Sequence, residues 1–457
     1  MKTLNIQFDF RSLDEASRGV ASSPDRSVPF PFKVLSQHGQ VLAEGVANSY
    51  QSKEIVLQDR LYPYQVFVRI AFPSGRSVTQ RVDLTSRDSA SVVFTDDDLA
   101  GEAWAKWALT RSSRASPVPA PLAKFGNVWF RLWSRTDTGW HPSSELPRSN
   151  SVANVAAKQV DLDLDLDRPQ LLQFGGAKVA WTFVSLPPGR CRMYFTTNPA
   201  SDNTSLPIKL VLTSFQPEAE TLLEFLSRDA LGAADSVSKF LATRLLHDKM
   251  EDPVSAIVGA YFLLRIGQWK DVSPQWFDNL YRAFPWSSDA ALIRCAVTCR
   301  QGLSGPSAVN QFLTQMDGSF SRGVPLFAEG HRLLLELQST LQSLMHENHW
   351  GIETDKFEEL LRKCRALSAA RVWVGSSFAF TGNTPDAPSS QRRKGSAPDD
   401  EVELLPSEDE STALSMAPMS FSASMLERVA SDEISPSTHG QKRRRAKRSD
   451  VVYLKDL

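Results

Sequence analysis

The chain has little cysteine: Cys191, Cys295, Cys299 and Cys364 are its four among 457 residues. They are too few and too scattered for a disulfide framework, which points to a reducing, cytoplasmic setting. Long apolar runs are missing as well. The best window, 257–266, stops after about ten residues and contains Arg265, so no membrane span is expected. Residues 1–10 alternate polar and apolar types and lack the apolar h-region of a signal peptide. An excess of one charge is absent too, since 51 Lys and Arg face 52 Asp and Glu. A net charge of −1 gives no global field to recruit nucleic acid or a membrane.

Catalytic strings are also wanting. Gly-x-Ser-x-Gly does not occur; Ser304 lies between Gly302 and Gly305 at the wrong spacing, and a turn between two helices explains it. Neither Gly-x-Gly-x-x-Gly nor Gly-x-x-x-x-Gly-Lys-Ser/Thr occurs, which removes the usual phosphate-cradling loops. His346-Glu347-Asn348-His349 sets its histidines three apart, unlike His-Glu-x-x-His, so these two and His331 read as polar loop or helix-end residues and not as zinc ligands. Cys295 and Cys299 share a helix face with no further ligand close in sequence, and read as two small buried residues. The expectation is a protein that is not an enzyme and carries no cofactor or metal. The competing reading is an enzyme whose site is assembled from scattered residues such as Glu329, His331, His346 and His349.

Hydrophobic and charged fractions of 42% and 23% are those of a chain that mostly folds, with room for several domains. Residues 1–95 hold short alternating runs at 3–10, 32–36, 41–46, 54–57, 64–72, 77–84 and 90–94, separated by turn residues. That spacing predicts an antiparallel β-sandwich, with a hairpin turning at Pro73-Ser74-Gly75. Residues 96–121 read as a short helix, capped from Asp96-Asp97-Asp98, followed by a linker. A second β-rich module is expected at 122–215, with strands at 127–134, 159–166, 170–175, 179–186, 192–197 and 208–214. In it Asp161, Asp163, Asp165 and Asp167 alternate with leucines and form a wet strand face; calcium loops use a turning, glycine-containing backbone instead.

From residue 216 the period lengthens to that of helices, expected at 218–229, 233–247, 253–266, 273–283, 287–300, 305–316, 322–342 and 353–368. Asp252 as N-cap, Pro253 at the first helical position and Gly267 past the end bracket the third of these. Beyond residue 376 composition turns to Pro, Ser and charge, and order is expected to be lost through 457. The chain therefore reads as multidomain α+β: N-terminal antiparallel β-sandwich modules (1–95 and 122–215), an all-α helical array (216–375), then a disordered C-terminal tail (376–457).

Two resemblances add to this. Gly39 to Gly45 and Tyr64 to Gly75 resemble strand pairs of transthyretin-like or carboxypeptidase-regulatory-like sandwiches, which implies a fold and no site residue. The string Asp252-Pro253, Ala260-Tyr261-Phe262-Leu263-Leu264-Arg265, Asn279-Leu280, Phe284-Pro285-Trp286, Asp289, Ile293-Arg294, Arg322-Gly323-Val324-Pro325-Leu326-Phe327 and Glu329-Gly330 is similar to bacterial companions of caspase-like peptidases. That resemblance covers about 180–335 and implies a protein-interaction role with no catalytic residue.

In the tail, acid at 399–403 and 408–410 gives way to base at Lys442, Arg443, Arg444, Arg445, Lys447 and Arg448, and the chain closes on the apolar tip Val451-Val452-Tyr453-Leu454. The six cations are the candidate partner- or anion-binding residues; without aromatic interleaving they would bind nucleic acid indifferently to sequence. Of the 11 tryptophans most should be core, and Trp140, beside His141-Pro142, is a candidate for a partner-binding surface. The leading expectation is a non-enzymatic scaffold or regulatory subunit that partners, or is cut by, a peptidase; the alternative beside the scattered-site enzyme is a nucleic-acid binder using the basic arm.

Overall fold

The structure, a computed structural model, describes residues 2–9, 28–49, 51–57, 65–72, 75–84, 89–95, 97–98, 128–143, 151–154, 159–197, 208–214, 216–231, 235–348, 354–396 and 452–453. The chain divides into two compact units. One holds Met1–Ala115, Thr213–Arg365 and Gly375–Phe378; the other holds Ser116–Leu212, Ala366–Val374 and Ala379–Leu457. No helix among the described residues is long and apolar enough to cross a membrane.

All seven strands expected in the first 95 residues are present: β1 (Lys2–Asp9), β2 (Pro29–Ser36), β3 (Val41–Asn48), β4 (Lys53–Leu57), β5 (Gln65–Ala71), β6 (Ser77–Asp83) and β7 (Ser89–Thr95). They form two sheets, β4-β1-β7 and β3-β2-β5-β6. Alternate residues of both, among them Leu4, Ile6, Val92 and Phe94 from the first and Phe30, Phe32, Val66, Val68 and Ile70 from the second, bury one shared core. This is the sandwich that a period of two predicts. One pairing departs from the antiparallel expectation, because β1 runs parallel to β7. The helix and linker expected at 96–121 lie almost wholly outside the described residues.

The helices of the same unit are α1 (Pro217–Ser227), α2 (Asp235–His247), α3 (Pro253–Arg265), α4 (Pro274–Ala283), α5 (Ser288–Gln301), α6 (Pro306–Ser321), α7 (Ala328–Asn348) and α8 (Thr354–Ala370), the last ending beyond the unit's boundary. α3 is the centre: every residue from Val254 to Leu264 is buried, and its ends are those expected. Asp252 accepts the Ser255 N–H at 3.0 Å, and Gly267 takes the left-handed conformation (φ 75°). A Cβ on Gly259 would sit 2.5 Å from the Ala242 carbonyl, so glycine is what lets α2 approach α3. The helix expected at 322–342 starts six residues later. Gly323 (φ 117°) and Pro325 break the first turn, and the Leu326 N–H is used elsewhere.

The second unit contains β8 (Val128–Thr136), β9 (Gly139–Pro142), β10 (Ser151–Asn154), β11 (Gln159–Leu166), β12 (Gln170–Gly176), β13 (Thr182–Leu186), β14 (Gly189–Thr197), β15 (Ile208–Thr213), β16 (Arg371–Val374), β17 (Ser377–Thr381) and β18 (Val452–Tyr453), with Thr213 and Ser377–Phe378 falling on the first unit's side of the division. One sheet is ordered β10-β11-β14-β15; the other is ordered β16-β17-β13-β12-β8-β18, with β9 also on β8. Leu164 and Leu166 of the acidic strand point into a core shared with Leu132, Leu172, Val184 and Ala379, while Asp165 and Asp167 are exposed. The expected boundaries need correction here. Residues 371–396, read from sequence as helix end and disordered tail, supply two strands and an ordered strap, and β17 lies inside the sheet beside β13. Only from residue 397 does the tail lie outside the described residues, up to β18.

Candidate functional site

Registers in the long sheet put Arg131, Gln173, Phe183 and Phe380 in one row across four strands, and Leu132, Leu172, Val184 and Ala379 in the next row on the opposite face. The second row faces the core. The first is covered by residues 382–396: Gln173 Nε2 donates to the Asn383 carbonyl (3.3 Å), and Thr381 Oγ1 donates to the Ser389 carbonyl (2.6 Å). Trp133 Nε1 donates to Gln173 Oε1 at 2.9 Å, and Phe183 stacks on Phe380 at 5.1 Å.

The end of the strap docks on two tryptophans. Trp129 of β8 and Trp181 meet edge to face with centroids 5.4 Å apart, across Gly175 of β12. A Cβ on Gly175 would lie 2.6 Å from Trp181 and 2.8 Å from Trp129, so only glycine leaves room for both rings. Each indole N–H donates to the Gly395 carbonyl, at 2.9 Å from Trp129 and 3.4 Å from Trp181. The Arg393 guanidinium lies over the Trp181 ring at 4.2 Å, and the Trp181 backbone N–H donates to the Arg393 carbonyl at 2.8 Å.

Trp129 also sits on an edge. β12 pairs with β8 along one side from Val128 to Ser134, whereas β9 covers the other side only from Trp133 to Thr136, extended by the Ser143 N–H to the Leu132 carbonyl. Pro142 ends β9; proline offers no ladder N–H and halts the hairpin. The remaining edge is taken by the far end of the chain: Val452 pairs with Phe130 and Tyr453 with Trp129, antiparallel. The strap leaves and the C-terminal tip returns at the same residue, Trp129.

A second polar constellation is closed in the helical part of the first unit. Asp289, fully buried on α5, accepts the Tyr261 hydroxyl through Oδ1 and the Leu326 N–H through Oδ2, each at 2.7 Å. A Cβ on Gly330 would come within 2.5 Å of the Tyr261 hydroxyl and 2.8 Å of Asp289, so the first turn of α7 can approach only as glycine. Nearby, Arg332 Nε lies 2.9 and 3.0 Å from the two Glu329 oxygens, and Arg265 Nη1 is 3.7 Å away. Burial pushes the Glu329 carboxyl up, to about 8, against the Arg265 guanidinium; the forked Arg332 contact is the geometry of an ionised pair. His331 is buried and stacks on Phe378 at 5.1 Å. These groups hold α3, α5 and α7 to the 322–327 turn.

Burial pushes Asp289 up to about 6, opposed by the Leu326 N–H and the Tyr261 hydroxyl. Between an unfolded value of about 4 and that folded value the native state holds the extra proton, so this contribution is complete at low pH and is lost as pH rises through about 6. Denaturant unfolding of wild type and Asp289→Asn is expected to show their difference in stability falling by on the order of 3 kcal/mol from pH 4 to 7, then flattening. A difference that stays level over that range would contradict the assignment.

Residues 221–445 match the Y4kD C-terminal domain. This is a bacterial-type family. No curated protein and no solved structure matches the chain. The Y4kD-matching stretch begins within α1, contains the Tyr261–Asp289–Gly330 cluster, and runs past the strap to Arg445. In this stretch the Tyr261 hydroxyl of α3 is bonded to Asp289 of α5. Besides Tyr261 and Asp289, Arg322 lies 4.0 Å over the Tyr281 ring and donates to the Tyr281 carbonyl at 3.3 Å.

Of the residues singled out from sequence, Lys442, Arg443, Arg444, Arg445, Lys447 and Arg448 lie outside the described residues, as do His349 and the side chains of Asp161, Asp163 and His346. Glu329 and His331 are brought together in the Y4kD-matching stretch, buried. Among the described residues no group of three or more His, Cys, Asp or Glu could hold a metal ion. Cys295 is buried, its thiol pushed up to about 12, and Cys299 is half-buried. Ser304 lies between Gly302 (φ 105°) and Gly305 (φ 88°), joining α5 to α6. Trp140 is half-buried with Arg135 5.6 Å over its ring, and among the described residues the exposed tryptophan is Trp373 of β16, at 61%. Sequence reading missed Trp129, Gly175 and Gly395 as a group; the only local hint was the apolar tip 451–454.

Proposed function

We propose that the chain is a non-enzymatic interaction protein, a scaffold or regulatory subunit, whose second unit takes an extended segment onto the edge of β8 by strand addition. The pairing of Val452 and Tyr453 with Phe130 and Trp129 carries this reading, because a sheet edge that receives one extended segment offers the same main-chain groups to another. The resemblance around α3 supports a caspase-like peptidase or a signalling protein as the partner, in the reducing cytoplasm that the cysteine pattern suggests. The charged stretch 397–451 is the segment such a peptidase would cut, water adding across one peptide bond to leave a carboxylate and an amine.

The direct test is binding in trans. A chain lacking residues 451–457 is titrated with a synthetic peptide of residues 449–457, followed by amide shifts of residues 128–132. Saturable binding in the range of tens of micromolar to millimolar, roughly −4 to −6 kcal/mol, is expected, and Pro at positions 452 and 453 of the peptide should abolish it. No saturable shift at millimolar peptide would remove strand addition from the account.

A further inference from the structure

We infer that the β8 edge is held in cis by the chain's own C-terminal tip, and that this contact lasts only while the connection between Ser396 and Val452 is intact. The inference rests on the reading of the β8 edge as a strand acceptor.

Two observations carry it. The described ladder between β18 and β8 is two residue pairs long, Val452 with Phe130 and Tyr453 with Trp129. A strand that short gains a few main-chain bonds, each worth little net in water. The connection, by contrast, starts and finishes at one place. Gly395 is bonded through its carbonyl to the Trp129 indole, and Tyr453 pairs with the backbone of that same Trp129. The 55 residues 397–451 thus join two points on one residue of β8.

For a connection of this length whose ends meet, the effective concentration of the tip at the edge is on the order of millimolar. A contact with an affinity of about 100 μM is then roughly nine-tenths occupied within one chain, and it is almost empty between separate chains at micromolar concentration. Hydrolysis of any one peptide bond in 397–451 leaves the ladder chemically unchanged and removes the effective concentration. The edge vacated is the one that continues the β9 line. It fits an extended, apolar–aromatic segment running antiparallel to β8. The occupant in the intact protein is the tip itself.

The experiment uses the full chain with a recognition sequence for a specific protease inserted between residues 411 and 412. Hydrogen exchange of residues 128–132 is followed in the uncut protein, after cutting at micromolar concentration, and in uncut Tyr453→Pro. Slow exchange is expected in the uncut chain, at least tenfold faster exchange after the cut with the C-terminal fragment separating on gel filtration, and the same acceleration in Tyr453→Pro. Fast exchange in the uncut chain overturns the inference, as does a fragment that stays bound after cutting, or a dimer in which the tip of one copy protects another. Adding the 449–457 peptide at millimolar concentration to the uncut and the cut protein separates the two ideas. Fast exchange already in the uncut chain that the added peptide slows sinks the latch alone, while fast exchange that the peptide does not slow sinks the strand-acceptor reading beneath it.

Discussion

A chain ending at Ser376 is expected to lose the fold of the second unit, whereas one ending at Ser396 is expected to keep it. The cut at 376 is the one composition suggests, because Pro, Ser and charge accumulate from there onward. It removes β17, whose five residues are all buried and which lies between β16 and β13. Ala379 belongs to the core row, and Phe380 stacks on Phe183. A buried phenylalanine contributes roughly 1.5–3 kcal/mol. The backbone groups of β13 that faced β17 are left unpaired as well, and the strap that covers the Trp133, Gln173 and Phe183 side of the sheet goes with the strand. Net domain stability is only about 5–15 kcal/mol, so losses of this kind exceed what a unit can absorb. Near-ultraviolet circular dichroism and a thermal melt decide the matter. A cooperative melt with unchanged tryptophan signal in the 1–376 chain would show β17 to be dispensable.

Among single substitutions the largest loss is expected for Asp289→Ala, about 3–5 kcal/mol in denaturant unfolding of the first unit. The reason is what remains after the carboxylate is gone. The Tyr261 hydroxyl and the Leu326 N–H both end on Asp289 at 2.7 Å in a fully buried place, and each becomes a desolvated donor with no acceptor there. Tyr261→Phe removes one donor and leaves Asp289 bonded to Leu326, so it should cost about 1–2 kcal/mol. Equal losses in the two variants, or a loss below about 1 kcal/mol for Asp289→Ala, would mean that the cluster is incidental to the packing of α7.

The parts of this fold that could be read from sequence are those stabilised by their own local pattern. Seven alternating runs gave seven strands, and Asp252, Pro253 and Gly267 marked both ends of α3. What escaped depends on distant partners. β17 is buried on both faces, so its residues show no alternation, and it is followed at once by residues typical of unstructured chain. The order of the strap comes from the indoles of Trp129 and Trp181, over 200 positions upstream. The Tyr261–Asp289 bond spans 28 residues, and nothing local to Asp289 on α5 distinguishes it from an ordinary acidic residue in a first helical turn. Glu329 and His331 stood out as scattered polar residues, but their burial against Arg332 and Phe378 could not be read from spacing.

The long sheet of the second unit has a consequence in time. β13 ends at Leu186 and its neighbour β17 begins at Ser377, with the helical segment lying between them in the chain. At about 5–20 residues per second, a ribosome needs roughly 10–40 s to make that interval. During it the β13 edge, later covered by Phe380 and Ala379, has no partner strand to receive. Nascent chains of this protein should therefore depend on chaperone cover most strongly after β13 has emerged and before β17 does.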